Sequence, residues 1–325
     1  MDTRGAVTRA KTAAEGAFVR AQLVESARDY AAHAKAPRTR RAYRQAFQRF
    51  AAWTEAQGVQ PLPASSETVA LYLTALAQAG RKVSTLELAL AAVSQAHKAA
   101  GFDSPRPSAV VHEVMRGIRR TLGVAPRQAA PVLVSDLRAM LHALPDGLLG
   151  LRDRALLLLG FAGAFRRLEL VGLDVEDVAF VADGLEVALK RSKTDQEGEG
   201  RKIGIPFGSS PATCPVRSLI AWTEAAGITS GPLFREVTRH GKVGTTPLSD
   251  KTVARVVKRT AQRASLDPSR FSGHSLRAGL ATAAAKAGKT ERAIMAQTGH
   301  RSVTMVRRYI RDASLFAENA AAGLL

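Results

Sequence analysis

Helical periodicity runs through almost the whole chain, and a strand-like alternation replaces it at one place, between Leu185 and Pro206. Apolar and more polar residues alternate over 185–190, and Ile203 and Ile205 alternate in the same way. Alternation puts every second side chain on one face of a strand, and the polar, glycine-containing segment between the two runs is typical of a turn. The sequence therefore predicts a mainly α-helical protein with one β-hairpin.

The first part of the chain, from Gln22 to Thr121, shows helical spacing only. Serines that can cap a helix precede three of its apolar segments, and glycines that can end a helix follow two of them. These segments begin at Ser65 or Ser66, at Ser84 and at Ser108. The pattern predicts a small all-helical bundle.

A stretch without periodicity, 123–131, contains glycine, two prolines and polar residues, and it is the candidate linker. Since domains commonly hold about 100–200 residues, a chain of 325 residues favours two of them. We expect a flexible tail over 1–21, a helical domain over 22–122, and a second domain over 132–325 that ends in a helix at about 314–325.

The charge of the chain is strongly unbalanced. Lys and Arg number 47 against 28 Asp and Glu, which gives a formal net charge of +19. Repulsion among so many like charges opposes a compact fold, and a polyanionic partner relieves it. A basic surface that is only solvated would give the same count. Because the imbalance is so large, we expect nucleic acid as the partner.

The single cysteine, Cys214, excludes an intramolecular disulfide and a multi-cysteine zinc site, and it is typical of a reducing cytoplasm. No apolar run approaches the roughly 20 residues that span a bilayer, and the N-terminus lacks the apolar centre of a signal peptide. No histidine and carboxylate pair has metal-ligand spacing, which argues against a zinc hydrolase. We expect no metal and no other cofactor.

Four short motifs in the second part of the chain carry groups that can do chemistry. They are RRLEL at 166–170, SKT at 192–194, HSLR at 274–277, and the segment 299–309 that holds a histidine and a tyrosine. Each has an ordinary structural explanation when taken alone, such as an ion pair at a helix start, a solvated lysine, or a tyrosine ring in a core. Helical spacing puts His274 and Arg277 on one face, one turn apart.

Together these motifs give the ordered series Arg–Lys–His-x-x-Arg–His–Tyr, formed by Arg166, Lys193, His274, Arg277, His300 and Tyr309. The series resembles the active site of the tyrosine recombinases, or phage integrase family, and the resemblance covers nearly the whole chain. The likeness is greatest to the Cre-type recombinases. It includes TRRA at 39–42, AKAG at 285–288 and YIR at 309–311.

The resemblance implies an N-terminal helical core-binding domain of the SAM-like type and a C-terminal mixed α/β catalytic domain. It implies a bacterial or phage-encoded, nucleoid-associated enzyme that recombines DNA at specific sites through a covalent 3′-phosphotyrosyl intermediate, without metal or ATP. A type IB topoisomerase uses a similar residue set, and an inactive DNA-binding or accessory protein could share the fold. The helical DNA-binding half and the complete series favour recombination.

The resemblance also assigns roles to single residues. Arg166 and Arg277 would bind the non-bridging oxygens of the scissile phosphate, a task that suits planar, permanently charged guanidinium groups. Tyr309 would attack phosphorus. The other roles are hydrogen bonding to the phosphate by His274, which can also accept the tyrosine proton, and by His300, protonation of the 5′ oxygen by Lys193, and orientation of His274 or Arg166 by Glu169.

One position departs from the family pattern. Leu168 stands where the family usually has a small residue, often serine. We expect its side chain to crowd the packing beside Arg166 and to tune or reduce activity, although no reacting group is lost.

The implied partner is double-stranded DNA, held between the two domains. A helix that starts near Ser249 is similar to a family helix that enters the major groove. The candidate DNA contacts are Arg40, Arg41, Arg44, Lys98 and Arg116 in the first domain and Lys251, Arg255, Lys258 and Arg259 in the second. Lys251 and Arg255 are the candidates for base contacts, and contacts to phosphate alone are an open alternative.

The end of the chain, from Leu315 to Leu325, is apolar at helical spacing and too short to be a stable helix alone. In the family such a tail docks on a neighbouring protomer and builds a cyclic homotetramer on two DNA sites. Folding of the tail onto its own domain is the alternative.

Overall fold

The computed structural model describes residues 20, 22–27, 29–30, 34–123, 129–190 and 200–314, with side chains to residue 310. The chain divides into two compact units, Met1–Pro126 and Arg127–Leu325. The division falls inside the segment 123–131. Lys193 and the residues after Ser314 lie outside the described residues.

Among the described residues of the first unit, all regular secondary structure is helical. Besides helical residues within 20–30, it contains α1 (Pro37–Ala56), α2 (Ser66–Gln78), α3 (Val83–Ala99) and α4 (Ala109–Leu122). Ser65 and Ser108 cap α2 and α4, because their hydroxyls accept hydrogen bonds from backbone N–H groups in the first turn. The capping serines predicted for these two helices are confirmed, whereas α3 begins at Val83, one residue before Ser84, and has no side-chain cap.

The core of the first unit is formed by apolar residues from all four of these helices. Phe50, Leu73, Leu86 and Met115 are almost completely buried. The ring of Tyr72 packs edge-on against Phe50, with 5.1 Å between the ring centroids. The Lys and Arg side chains of the same helices are exposed, apart from Arg119, which is partly buried.

The second unit contains eight described α-helices around a core of its own. They are α5 (Val134–His142), α6 (Leu148–Ala162), α7 (Arg167–Val171), α8 (Pro215–Ala225), α9 (Asp250–Arg263), α10 (Ser275–Lys286), α11 (Glu291–Thr298) and α12 (Val303–Ser314). Helix α6 is buried along most of its length and packs against α8 and α10. It therefore anchors the segments that follow it in sequence. None of the helices in the described part of the chain has the length and apolar character needed to cross a membrane.

The predicted hairpin is present as part of a three-stranded antiparallel sheet. The sheet has the order β1 (Val178–Val181), β2 (Gly184–Leu189) and β3 (Arg201–Pro206). The alternating apolar residues of β2 and β3 are buried, and the last pair of the hairpin joins Leu189 to Arg201.

The sequence did not predict β1, nor the separate hairpin of β4 (Arg235–Val237) and β5 (Val243–Pro247). Most residues of β1 are exposed, and β4 is only three residues long. Strands that are so short or so exposed carry too little hydrophobic alternation to be recognised.

Candidate active site

The turn between α6 and α7 brings two arginines to one place. Ala164 in this turn has a left-handed backbone, with φ of 49°, which is uncommon for residues other than glycine and is often found near functional sites. Its carbonyl oxygen accepts a 2.7 Å hydrogen bond from Nη1 of Arg277. Arg166 follows two residues later and directly precedes α7.

Glu169 holds Arg166 from the first turn of α7. Its buried carboxylate accepts a 2.9 Å hydrogen bond from the backbone N–H of Arg166. The same carboxylate forms a 2.5 Å ion pair with Nη1 of Arg166. The sequence left open whether Glu169 orients His274 or Arg166, and in the structure it contacts Arg166. The neighbouring Arg167 instead pairs with Asp250 at 3.7 Å, which separates the roles of the two adjacent arginines.

Arg277 is a buried cation whose donors are only partly used. Its side chain is 1% exposed, and its Nε and Nη2 make no hydrogen bond to the described residues. Burial, followed by the charge of Arg166, lowers the pKa of Arg277 to about 10. Because buried unpaired donors are costly, this group is suited to an anion.

His274 directly precedes α10, and its backbone N–H donates to the hydroxyl of Ser272 at 3.2 Å. Its Nε2 lies 3.5 Å from the Tyr309 hydroxyl, which can donate to it. Burial of the ring and the charges of Arg277 and Arg166 lower the pKa of His274. Near neutral pH the ring is therefore uncharged and able to accept a proton.

His300 follows α11 and is fixed by a chain of hydrogen bonds. Thr298 donates its hydroxyl proton to the Ile294 carbonyl at 2.6 Å, so its oxygen accepts from Nδ1 of His300 at 2.7 Å. A neutral His300 thus carries its proton on Nδ1, and its Nε2 has a free lone pair. Burial, with the charges of Arg277 and Arg166, lowers the pKa of His300 to about 4.

Tyr309 lies on α12 at the edge of a small apolar cluster. The cluster includes the buried residues Ala281, Ile294 and Val306, which come from α10, α11 and α12. The tyrosine ring lies 5.9 Å from the His300 ring, measured between centroids. Packing of α12 on the two preceding helices therefore brings the phenol next to both histidines.

Lys193 belongs to the segment 191–199, which lies outside the described residues between the ends of β2 and β3. Two nearby lysines that the structure describes are engaged elsewhere. Lys190 pairs with Asp177 at 2.6 Å, and Lys202 pairs with Glu186 at 3.3 Å. Within the described ranges, no group of three or more His, Cys, Asp or Glu side chains could hold a metal ion.

Comparison with known proteins identifies the family of this chain. The phage integrase family matches residues 132–315. The integrase/recombinase XerD homolog of Selenomonas ruminantium is 41% identical over 290 residues, which cover 88% of this chain and 85% of the relative. The chain belongs to the phage integrase family. It is a tyrosine recombinase, an enzyme of site-specific DNA strand exchange.

Other relatives agree with this assignment. The Cre recombinase of Escherichia phage P1 is 26% identical, with 81% of this chain and 80% of Cre covered. The expected likeness to Cre is thus present, while the XerD homolog has the higher identity. A XerH recombinase in a post-cleavage complex with a difH substrate has a TM-score of 0.60 at 17% identity, with 81% of this chain and 73% of that chain covered.

A lambda integrase dimer bound to a core site has a TM-score of 0.57 at 19% identity, and the match covers 90% of this chain and 95% of that one. At such identities the two solved structures establish a shared fold. The recombinase therefore has the mainly helical, two-domain fold with a small sheet that the sequence predicts. The relatives are named integrases and recombinases, and nothing in them favours the topoisomerase alternative.

The expected crowding of Leu168 beside Arg166 is wrong. This residue is 57% exposed on α7, whereas Glu169 and Leu170 occupy the buried side of the same helix. A larger side chain at a position that faces outward leaves the packing beside Arg166 unchanged.

One of the predicted DNA contacts on α9 is engaged within the protein. Lys251, Arg255 and Lys258 are exposed. Arg259 instead pairs with the buried carboxylate of Asp153, which also accepts from Arg152. Because Asp153 already balances its charge, Arg259 differs from its neighbours on α9, and its contact with DNA stays a prediction.

The structure adds Arg201, which the sequence did not single out, to the candidate catalytic cluster. This cluster consists of Arg166, His274, Arg277, His300 and Tyr309. The charge of Arg201 acts on Arg277 and His300, and burial lowers the pKa of Arg201 itself. A basic residue that opens a strand gives no signal by itself, because exposed strand ends commonly carry such residues.

Proposed function

We propose that this recombinase cleaves one DNA strand by attack of Tyr309 on the scissile phosphate, which Arg166 and Arg277 bind. One observation carries the proposal. The phenol of Tyr309 lies 3.5 Å from Nε2 of His274, in the same site as the buried guanidinium of Arg277, two of whose donors no described residue satisfies. A phosphate offers the negative charge and the acceptor oxygens that these donors require.

The two arginines are fixed in advance of substrate binding. Glu169 holds Arg166, and the carbonyl of Ala164 holds Arg277. Negative charge builds on the non-bridging oxygens when the tyrosine attacks phosphorus. Donors that already point to that place stabilise the transition state without having to reorganise.

Protons move to and from the two oxygens that exchange at phosphorus. A bond forms between the Tyr309 oxygen and phosphorus, the tyrosine proton passes to His274, and the bond to the 5′ oxygen breaks. Lys193 gives that oxygen a proton. His300 donates to the phosphate as an imidazolium, because a bound anion favours the charged form of a histidine.

The products are a 3′-phosphotyrosyl bond and a free 5′-hydroxyl. The new bond retains the energy of the phosphodiester, so neither ATP nor a metal ion is required. A 5′-hydroxyl from a partner strand reverses the step on new DNA, which completes the strand exchange.

We propose double-stranded DNA as the partner of both units. The helical unit offers an exposed set of basic residues for backbone contacts: Arg40, Arg41, Arg44, Lys98 and Arg116. On α9, Lys251, Arg255 and Lys258 are exposed on the side opposite to its buried valines. The single cysteine supports the cytoplasm as the compartment.

We further propose that the enzyme acts as a homotetramer on two DNA sites, joined by its apolar C-terminal tail. An apolar groove of about 520 Å³ in the second unit supports this assembly. Its wall includes Leu137, Phe161, Phe207 and Leu280. The groove offers a surface that the apolar tail of a neighbouring copy could cover.

Exchange of the nucleophile tests the function. The probe is a duplex recovered from DNA that the wild-type protein traps covalently in cells, with a nick placed so that the short fragment bearing the new 5′-hydroxyl is released after cleavage. Tyr309→Phe should bind this duplex with wild-type affinity and form no SDS-resistant adduct, because it lacks the attacking oxygen. Tyr43→Phe is the matched control and should form the adduct normally. An adduct on Tyr309→Phe would refute the proposed nucleophile.

Truncation tests the assembly. Deletion of residues 313–325 should leave binding to one site intact and abolish recombination between two sites. Phe207→Asp should have the same effect, because it changes the groove that the tail would cover. Since Phe207 is 45% exposed, its replacement should leave the fold intact. A truncated protein that recombines at the normal rate would indicate that the tail folds on its own domain.

A further inference from the structure

Arg201 joins two segments of the catalytic domain that are far apart in sequence. It is the first residue of β3 and directly follows the segment 191–200, which contains Lys193. Its Nη1 donates to the carbonyl oxygens of Ala296 and Gln297, at 3.2 and 3.3 Å. These carbonyls belong to the last turn of α11, where helix oxygens lack intrahelical partners and carry partial negative charge. The guanidinium therefore caps the helix that ends just before His300.

Gly299 leaves room for this contact. A Cβ atom at Gly299 would lie 2.6 Å from Nη1 and 2.7 Å from Cζ of Arg201. The guanidinium thus rests against the backbone of the residue that immediately precedes His300. Gly299 also has a left-handed backbone, with φ of 64°, so glycine is favoured at this position for two separate reasons.

A second contact ties the same helix end to the same strand. The side-chain amide of Gln297 donates to the carbonyl oxygens of Ala162 and Gly204, at 2.7 and 3.2 Å. The end of α11 is thus bonded to both the α6 terminus and β3. Movement of β3 would be transmitted to the loop that carries His300.

The charge of Arg201 interacts with those of Glu169 and Arg166 in the candidate site. Its Nε and Nη2 are buried and make no hydrogen bond to the described residues. Burial lowers its pKa, while the nearby carboxylate of Glu169 favours its charged form and Arg166 opposes it. The guanidinium is thus a further positive charge beside Arg166 and Arg277. Burying a charged group whose donors lack partners costs free energy.

We propose that Arg201 is a positioning residue of the cleavage reaction: by clamping the end of α11 to β3, it holds His300 in place beside Arg166 and Arg277. The inference rests on the proposed roles of His300, Arg166 and Arg277. It goes beyond them, since Arg201 touches neither DNA nor Tyr309 in this scheme. It accounts for a glycine at 299, a glutamine at 297 and an arginine at 201 with one structural requirement.

Single-turnover cleavage of the nicked probe duplex, at saturating protein, tests the proposal. Arg201→Gln should slow cleavage by up to about 10²-fold, the loss expected from a displacement near 1 Å, with DNA affinity unchanged. Lys202→Gln is the matched control, because it removes the same charge from the next residue of β3, whose side chain pairs with Glu186 on the exposed side. It should cleave like the wild type.

The pH profile separates positioning from a general loss of structure. Arg201 is one of the charges that lower the pKa of His300, so its removal should move the His300 inflection to higher pH. Arg201→Lys keeps the charge and should keep the inflection while cleaving at an intermediate rate. Gly299→Ala should slow cleavage less in Arg201→Gln than in the wild type, because the guanidinium that the new methyl group meets is gone and only the strain of the left-handed backbone remains.

The outcomes distinguish this inference from the function on which it rests. If the wild type and Lys202→Gln form no adduct, the proposed function fails. If both cleave and Arg201→Gln cleaves at the same rate, the positioning role is refuted. A slow Arg201→Gln with an unshifted inflection, a lowered melting temperature and full additivity with Gly299→Ala would also refute it, because that result indicates a structural role only.

Discussion

The basic residues of the catalytic cluster and those of α9 differ in how firmly the protein holds them. Arg277 is 1% exposed and hydrogen-bonded to a strained turn. Lys251 and Arg255 project from an exposed helix face, and Arg255 donates to the hydroxyl of Thr252, a neutral partner on the same helix. The difference follows from the two tasks. Chemistry requires a phosphate held in one place relative to the nucleophile, whereas binding to the backbone requires chiefly positive charge.

The same contrast appears within α9. Arg255 and Arg259 lie one turn apart on this helix, yet only Arg259 pairs with a buried carboxylate, that of Asp153. Asp153 itself lies on α6 and also accepts from Arg152. The pair therefore attaches the proposed DNA-binding helix to the core, whereas the charge of Arg255 remains exposed.

Sulfur substitution sharpens the comparison inside the catalytic cluster, where the largest effects are expected. Lys193→Ala should lose about 10²–10⁴-fold in cleavage rate, as is typical when a general acid is removed. Replacement of the bridging 5′ oxygen by sulfur should restore the rate, since a thiol with a pKa near 8.5 leaves without a proton donor. Arg277→Ala should not recover, because charge on the non-bridging oxygens still lacks a partner. Rates on both duplexes are measured by quenched flow.

Lys190→Ala is the control for this experiment. Its ammonium group pairs with Asp177, which raises the pKa of Lys190, and it should cleave both duplexes like the wild type. If sulfur rescues Arg277→Ala and leaves Lys193→Ala inactive, the two roles are assigned the wrong way round.

The pair on α9 gives a smaller effect and a direct test of the comparison. Arg259→Ala should lower the free energy of unfolding by about 1–3 kcal/mol, the usual cost of a buried group left with too few partners. Arg255→Ala should melt like the wild type and bind DNA less tightly, with a salt slope reduced by about 1. Thermal melts and salt-dependent binding isotherms measure both quantities. An Arg259→Ala variant of normal stability that loses as much affinity as Arg255→Ala would remove the distinction between them.

The sequence predicted the parts of the fold that depend on local periodicity and caps. The serine caps of α2 and α4 and the buried alternation of β2 and β3 are cases of this kind. Strand β1 and the β4–β5 hairpin could not be recognised, because their residues are short runs with little burial.

The motifs named the candidate site residues, but the contacts among them depend on tertiary structure. Leu168 and Glu169 are adjacent in sequence and face opposite sides of α7, which no pattern of five residues reveals. Arg201 reaches α11 across 95 positions of sequence, and Arg259 reaches Asp153 across 106. Such pairings come from how helices pack, so a single sequence without relatives gives no signal for them.

Direct mapping of the covalent linkage tests the central claim, that the phosphate site presents DNA to Tyr309. The wild-type protein is trapped on the nicked probe duplex, digested with nuclease and trypsin, and analysed by mass spectrometry. Because trypsin cleaves after Arg308 and Arg311, the account predicts a nucleotide attached through its 3′ phosphate to Tyr309 in the peptide 309–311. A nucleotide on any other residue, or one attached through a 5′ phosphate, would contradict it.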